Sequence, residues 1–174
     1  MISEDILYDC IIVDNGPAGL TAGPYCARVK MNTLLLEKGT IKGQIAIIDL
    51  VENYPGFPGG ISGKESSLRF KELAERFGLK IYRKKDTQTG ELSTLEVEDI
   101  STYIDLEPAT GFLKGFVKMD DKGYIITNER MGTSVEGVFA CGSCRSGSTG
   151  QAAVAVGKGC IAALEAEKYL QENF

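Results

Sequence analysis

Residues 8 to 37 open Tyr8-Asp9-Cys10-Ile11-Ile12-Val13-Asp14-Asn15-Gly16-Pro17-Ala18-Gly19, and they close Asn32-Thr33-Leu34-Leu35-Leu36-Glu37. This stretch decides the fold. It reads as strand, tight glycine turn, helix to about Lys30, and second strand. Both strand segments are short apolar runs, the pattern of buried parallel strands. In a dinucleotide-binding βαβ unit, glycines let the backbone approach a pyrophosphate seated on the helix N-terminus, and an acid closing the second strand takes the ribose hydroxyls. Glu37 stands 23 residues after Asp14, about the separation that role requires. Asp14 occupies the first position of G-x-G-x-x-G, so the fingerprint lacks one glycine. The plainer reading is a βαβ unit whose glycine turn serves packing alone.

The chain has 174 residues, enough to bury a core as one domain or a tight pair of lobes. With 43% hydrophobic and 25% charged residues it has the composition of a soluble globular protein. A net charge of −5 and the lack of a basic stripe argue against non-specific nucleic-acid binding. No stretch has the length of a membrane span, and Met1-Ile2-Ser3-Glu4-Asp5 is no signal peptide, so a cytoplasmic location is expected. There is no histidine, which removes the commonest general base and every Ser–His or Cys–His arrangement. Five cysteines, an odd number, do not suggest a disulfide framework. Cys10, Cys26 and Cys160 fall where small core residues sit on a strand and two helices, and are read as structural thiols.

Further along, Gly23-Pro24 falls inside the first helix, where proline costs about 3 kcal/mol, so a kink or an early end is expected. Asn53 to Gly60 carries two prolines and three glycines and reads as an ordered surface loop. Ser62 to Phe77 reads as an amphipathic helix with Leu68, Leu73 and Phe77 on one face and Gly78 as its stop. Residues 79 to 104 read as a β-meander, Asp120 to Gly123 as a turn, and Tyr124 to Thr127 and Val135 to Ala140 as short strands. The last helix spans roughly Gln151 to Leu170, with small residues on one face.

Taken together, Tyr8 to Lys38, Gly43-Gln44, Glu52 to Phe57, Gly123 to Thr127, Thr133 to Gly142 and Gln151 to Leu170 resemble the flavin domain of two-domain thioredoxin reductases, within the pyridine nucleotide-disulfide oxidoreductases. The resemblance implies an α/β fold: a parallel Rossmann-like sheet with helices on one face and a β-meander on the other. It implies FAD along the carboxyl ends of the strands. Gly16, Pro17, Ala18 and Gly19 would meet the pyrophosphate, and Glu37 with Lys38 the adenosine. Gly43, Gln44 and Asn53 would flank the flavin. Gly142 would approach the ribityl phosphate, and Gln151 with Ala152 the isoalloxazine edge. A homodimer is the implied assembly, with a thioredoxin-like or electron-donor protein as a further partner.

Departures from the family pattern carry information too. Members are nearly twice as long, because a nicotinamide domain bearing the redox Cys-x-x-Cys is inserted between two halves. Here Asp86 to Glu91 resembles only the end of that insert. The chain is therefore read as a single FAD-binding domain: residues 1–83 as one half, 84–104 as a meander replacing the insert, and 105–174 as the other half. NADPH is not expected to bind. Ser143 stands where the family has an aspartate on the ribitol, and Gly150 where it has a basic residue. Each of these changes, with Asp14, is expected to weaken FAD binding by about 1–3 kcal/mol.

Cys141-Gly142-Ser143-Cys144 has dithiol spacing, but Cys141 ends a strand instead of opening a helix. Three readings follow. The first is an FAD-binding module without its nicotinamide domain or catalytic dithiol. The second is an active oxidoreductase pairing FAD with Cys141 and Cys144, or with a donor domain on another chain. The third is a flavin-free dimeric structural or interaction protein. No metal site is expected.

Overall fold

A computed structural model of the chain describes residues 7–38, 43–84 and 108–174. Proline-free segments form three strands, β1 (Cys10–Val13) and β2 (Thr33–Lys38), rich in β-branched residues and leucine, and β3 (Lys80–Lys84), in which Ile81 and Tyr82 lie among basic residues. All pair in parallel with β2 in the middle: Cys10 lies opposite Thr33, and Leu34 opposite Lys80. Parallel neighbours require crossovers. Helix α1 (Pro17–Arg28) supplies the one from β1 to β2, and α2 (Gly63–Arg76) precedes β3. Helix α3 (Ala152–Asn173) ends the chain. The fold is α/β with a parallel sheet and helices, as the opening stretch implies.

Local chemistry sets the helix ends. Pro17 occupies the first turn of α1, where its missing N–H costs nothing. Ser62 caps α2 by accepting from the Glu65 amide at 3.2 Å, and Gly78 at φ +83° ends it. Pro24 neither ends α1 nor divides it: the helix continues to Arg28. Gly23, the residue before it, has no Cβ for the proline ring to meet. That same glycine lets α1 lie on Leu79, whose Cδ2 a Cβ at position 23 would strike.

Leu20, Leu35, Ala74 and Leu79 form the core between α1, β2 and α2, with Ile12, Phe70 and Ile81 packed against it. Ala22, Cys26 and Ala163 join α1 to α3, and Cys10 packs on them, so the structural reading of Cys10 and Cys26 agrees with their surroundings. Cys160 is half-buried on α3.

Several expectations are corrected. Residues 80–84, the start of the expected meander, pair in parallel with β2 as the third strand of the sheet. The remainder of the expected meander, to residue 104, lies outside the described residues. Strand β1 is buried on one face only, since Ile11 and Val13 are 55% and 58% exposed. Helix α2 buries Gly63, Ser66, Ser67 and Ala74, packs Phe70 against the core from the same face, and leaves Leu68, Leu73 and Phe77 exposed. Tyr124–Thr127 and Val135–Ala140 do not form strands; single bridges such as Met119 to Ile125 and Gly132 to Phe139 hold them. Side chains supply what a ladder would. Asp120 accepts from the Tyr124 and Lys122 amides at 2.9 and 3.0 Å and from Ser146 Oγ at 2.7 Å.

Helices α1 and α3 meet where Gly159 lies against the Ala18 carbonyl, and a Cβ there would collide with that oxygen. Gly159→Ala is therefore expected to lower unfolding free energy by about 1–3 kcal/mol, the range for overpacking. Urea unfolding followed by circular dichroism measures this. A variant as stable as the parent would mean that the helices separate freely.

Candidate functional site

At the carboxyl end of β1 the chain must turn sharply into α1. Asp14 makes the turn at φ +97°, a conformation that side chains rarely adopt. Its amide still bonds the Leu36 carbonyl at 3.1 Å, so the turn begins from the sheet. Gly19 then packs directly on the Asp14 carbonyl, with no room for a Cβ. Gly16 caps α1 with no side-chain bond, and the first turn of the helix holds no acid. The N-terminus of α1 thus presents backbone amides and positive dipole charge at the sheet end.

Asp14 answers that charge from within the chain. Its Oδ2 accepts from the Gly16 amide at 3.3 Å. Asp14 is exposed as a residue, but the atoms crowded around its carboxyl desolvate it and push it above its ordinary range, against the pull of the Asn15 and Gly16 amides.

The predicted site residues come together as a strip of contacts. Glu37, 4% exposed at the end of β2, accepts from Asn15 Nδ2 at 2.8 Å, and Lys71 Nζ of α2 lies 3.8 Å from its other oxygen. Gly43 approaches the Gly16 Cα, which would lie 3.1 Å from an added Cβ. Gly142, at φ +82°, sits over Ala18, whose Cβ a side chain at 142 would meet at 3.0 Å. Ser143 Oγ bonds Gln44 Oε1 at 3.0 Å, and Asn53 Nδ2 bonds Gln151 Oε1 at 3.0 Å. Ala152 opens α3 beside the cluster of Ile45, Val51 and Ile61. Pro17 fills the first helical position, and Lys38 pairs in register with Lys84. Two members of the strip, Asn15 and Lys71, carry no motif signal. Asn15 falls at a variable position of the glycine turn, and Lys71 is one of two lysines on α2.

The dithiol candidates sit next to this strip. Cys141 precedes the short 3-10 turn Gly142–Cys144, and Cys144 Sγ donates to the Cys141 carbonyl at 3.2 Å. Burial, then Cys144 and Asp14, pushes the Cys141 thiol up to about 12. Burial and Asp14 raise Cys144 as well. Both are free thiols, held in the form that is a poor nucleophile. Cys144 also packs against Val117, Ile125 and Ala140, as a core residue does.

Among the described residues no cluster of three metal-ligating side chains occurs, and no helix is long and apolar enough to cross a membrane. What the strip can do chemically is hold an elongated polar ligand across the ends of parallel strands, the usual ligand position in open α/β sheets.

Comparison with known proteins finds a likeness in sequence and in fold. The sequence pattern of the pyridine nucleotide-disulphide oxidoreductases matches residues 75–159. Thioredoxin reductase of Spironucleus barkhanus is 29% identical over 167 residues, covering 95% of this chain and 53% of its own length. Mitochondrial thioredoxin reductase 1 of Arabidopsis thaliana is 47% identical over 96 residues, covering 55% of this chain and 25% of its own. The chain thus spans between a quarter and about half of these relatives. The crystal structure of Lactococcus lactis thioredoxin reductase superposes with a TM-score of 0.81 at 22% identity, covering 95% of this chain and 100% of that one.

The raised thiols define a test of the redox reading. At about pH 8, iodoacetamide is expected to label Cys141 and Cys144 at least about tenfold more slowly in the folded chain than in urea, because the thiolate is the reacting form. Site-resolved mass spectrometry measures both rates. Equal rates, or a reversible Cys141–Cys144 disulfide, would restore the redox reading.

Proposed function

Starting from a chain that is a thioredoxin-reductase-like pyridine nucleotide-disulphide oxidoreductase domain, we propose that it is a weak FAD-binding module without its own nicotinamide domain or working dithiol. The observation that carries this reading is the strip from Glu37 through Gly16, Gly43, Gly142 and Gln151. It gathers residues from both ends of the chain along one edge of the sheet.

The residues fit FAD in most of their chemistry. Amides at the start of α1 suit a pyrophosphate, and Glu37, held in place by Asn15 and Lys71, suits ribose hydroxyls. Gln44, Asn53 and Gln151 offer amide donors and acceptors beside the apolar cluster of Ile45 and Val51, as a flavin ring requires. When bound, FAD supplies the electron-transfer chemistry. The chain's contribution is to bind and orient it. Two positions fit poorly: Asp14 adds charge at the phosphate loop, and Ser143 offers a neutral group where an ionised acceptor would bind the ribitol more strongly.

A nicotinamide domain has little room. A βαβ unit alone takes about 30 residues, and only positions 85–107 lie between the described segments on either side. The electron donor is therefore placed outside residues 1–174, and a homodimer is the assembly that the likeness to thioredoxin reductases suggests. The flavin-free reading draws support from the internal pairing of Gln44 with Ser143 and of Asn53 with Gln151, which satisfies these groups without a ligand.

Titration of apo-protein with FAD by flavin fluorescence tests the proposal. Asp14→Gly and Ser143→Asp are expected to act nearly additively, together tightening binding by about 3–5 kcal/mol, or two to three powers of ten. A parent that keeps stoichiometric FAD through gel filtration would contradict the weakness. No binding by any variant would favour the flavin-free reading. NADPH-dependent reduction of thioredoxin by the isolated chain is expected to stay at the no-protein rate, and clear turnover would overturn the assignment of the donor elsewhere.

A further inference from the structure

The phosphate loop contains its own anion. Asp14 Oδ2 lies within hydrogen-bond distance of the Gly16 amide and 3.0 Å from where a Gly16 Cβ would stand, so the carboxyl group leans over the loop. Gly142 presses on Ala18 from the other side and Gly43 on Gly16, which leaves little freedom for the backbone to move away. Position 14 therefore cannot stay neutral toward an incoming phosphate: one carboxylate and one pyrophosphate compete for the same amides and the same helix end.

We propose, on the reading that FAD binds here, that Asp14 couples phosphate entry at this loop to the uptake of a proton. Its carboxylate takes the place of a ligand phosphate, and a phosphate-bearing flavin enters with uptake of one proton by Asp14. The surroundings favour that exchange. The groups facing Asp14 are the Asn15 and Gly16 amides on its own loop and the Cys141 and Cys144 thiols across from it. Arg145 lies beyond those thiols and acts on them, and Glu37 of β2 is reached through Asn15. The thiols are held protonated, so they do not change charge with Asp14 over acidic to neutral pH. Desolvation by the surrounding loop also raises the Asp14 carboxyl from its ordinary value.

The direction of the pH effect follows. As pH falls toward the raised value of Asp14, the carboxylate fraction drops while a pyrophosphate diester stays ionised. FAD affinity therefore increases as pH is lowered. With one proton taken up, the limiting change is about tenfold per pH unit.

The experiment is FAD binding to the full chain, read by flavin fluorescence from about pH 8 down to about pH 5, for parent, Asp14→Asn and Asp14→Gly. Asn keeps an acceptor for the Gly16 amide and tolerates positive φ, so the loop is retained. The expected result is a parent whose affinity rises at least about tenfold across the range, with both variants flat and tight throughout. FAD binding that is pH-independent in the parent, or equally pH-dependent in Asp14→Asn, overturns the role of Asp14 and leaves the flavin reading standing. Absence of binding in all three proteins at every pH overturns the flavin reading itself.

Discussion

The first turn of α1 is held on three sides by backbone, and the rest of the structure is arranged around that constraint. Gly19 rests on the Asp14 carbonyl, Gly159 of α3 rests on the Ala18 carbonyl, and Gly43 rests on Gly16. None of these contacts leaves room for a methyl group without displacement. Because interiors are packed at crystal-like density, such contacts fix positions far better than side-chain contacts do. The N-terminus of α1 is thereby aimed at one point at the end of the sheet. Residues more than a hundred positions away, Gly142 and Gly159, are obliged to meet it there. A ligand site at that point is a consequence of how the two ends of the chain pack.

The internal pairing along the strip explains how such a site can exist without a ligand. The polar groups of the strip are paired with one another, at the buried Glu37 and equally at the exposed Gln44, Asn53 and Gln151. Here Asp14 answers Gly16, Asn15 and Lys71 answer Glu37, Ser143 answers Gln44, and Gln151 answers Asn53. Two of these bonds join residues 98 and 99 positions apart in the sequence, so they also tie the first half of the chain to the second. A ligand entering the strip has to replace these bonds, and its net gain is correspondingly small. The proposed weakness of FAD binding therefore has two sources, the charge on Asp14 and the partners already in place.

What could be read in the sequence follows physical rules that act locally. The βαβ unit was legible because strand runs, a glycine turn, Pro17 and Glu37 each report on their own neighbourhood. Gly78 and the capping pair Ser62 and Glu65 mark the ends of α2 for the same reason. The buried face of α2 was not legible, because the small residues Ser66, Ser67 and Ala74 lie on it while the larger apolar Leu68 and Leu73 do not. The strands expected near 124 and 135 have the right composition. Asp120, with its bonds to Tyr124 and Ser146, and Asn128, with its bonds to Arg130 and Gly132, hold that region in turns instead. The site glycines were found from the family resemblance, whereas Asn15 and Lys71 required knowing what lies beside Glu37. Asp14 was visible as a misfit in the turn. That its carboxyl bonds the Gly16 amide was visible only in three dimensions.

The central claim is that this strip is a flavin cradle, and the visible absorption spectrum tests it most directly. Protein as purified, and the same protein incubated with excess FAD, are compared with free FAD at equal concentration. The account predicts a nearly colourless protein as purified. With excess FAD it predicts a flavin band shifted from that of the free cofactor, saturating at one flavin per chain. An added-FAD spectrum indistinguishable from free FAD at every ratio would contradict it.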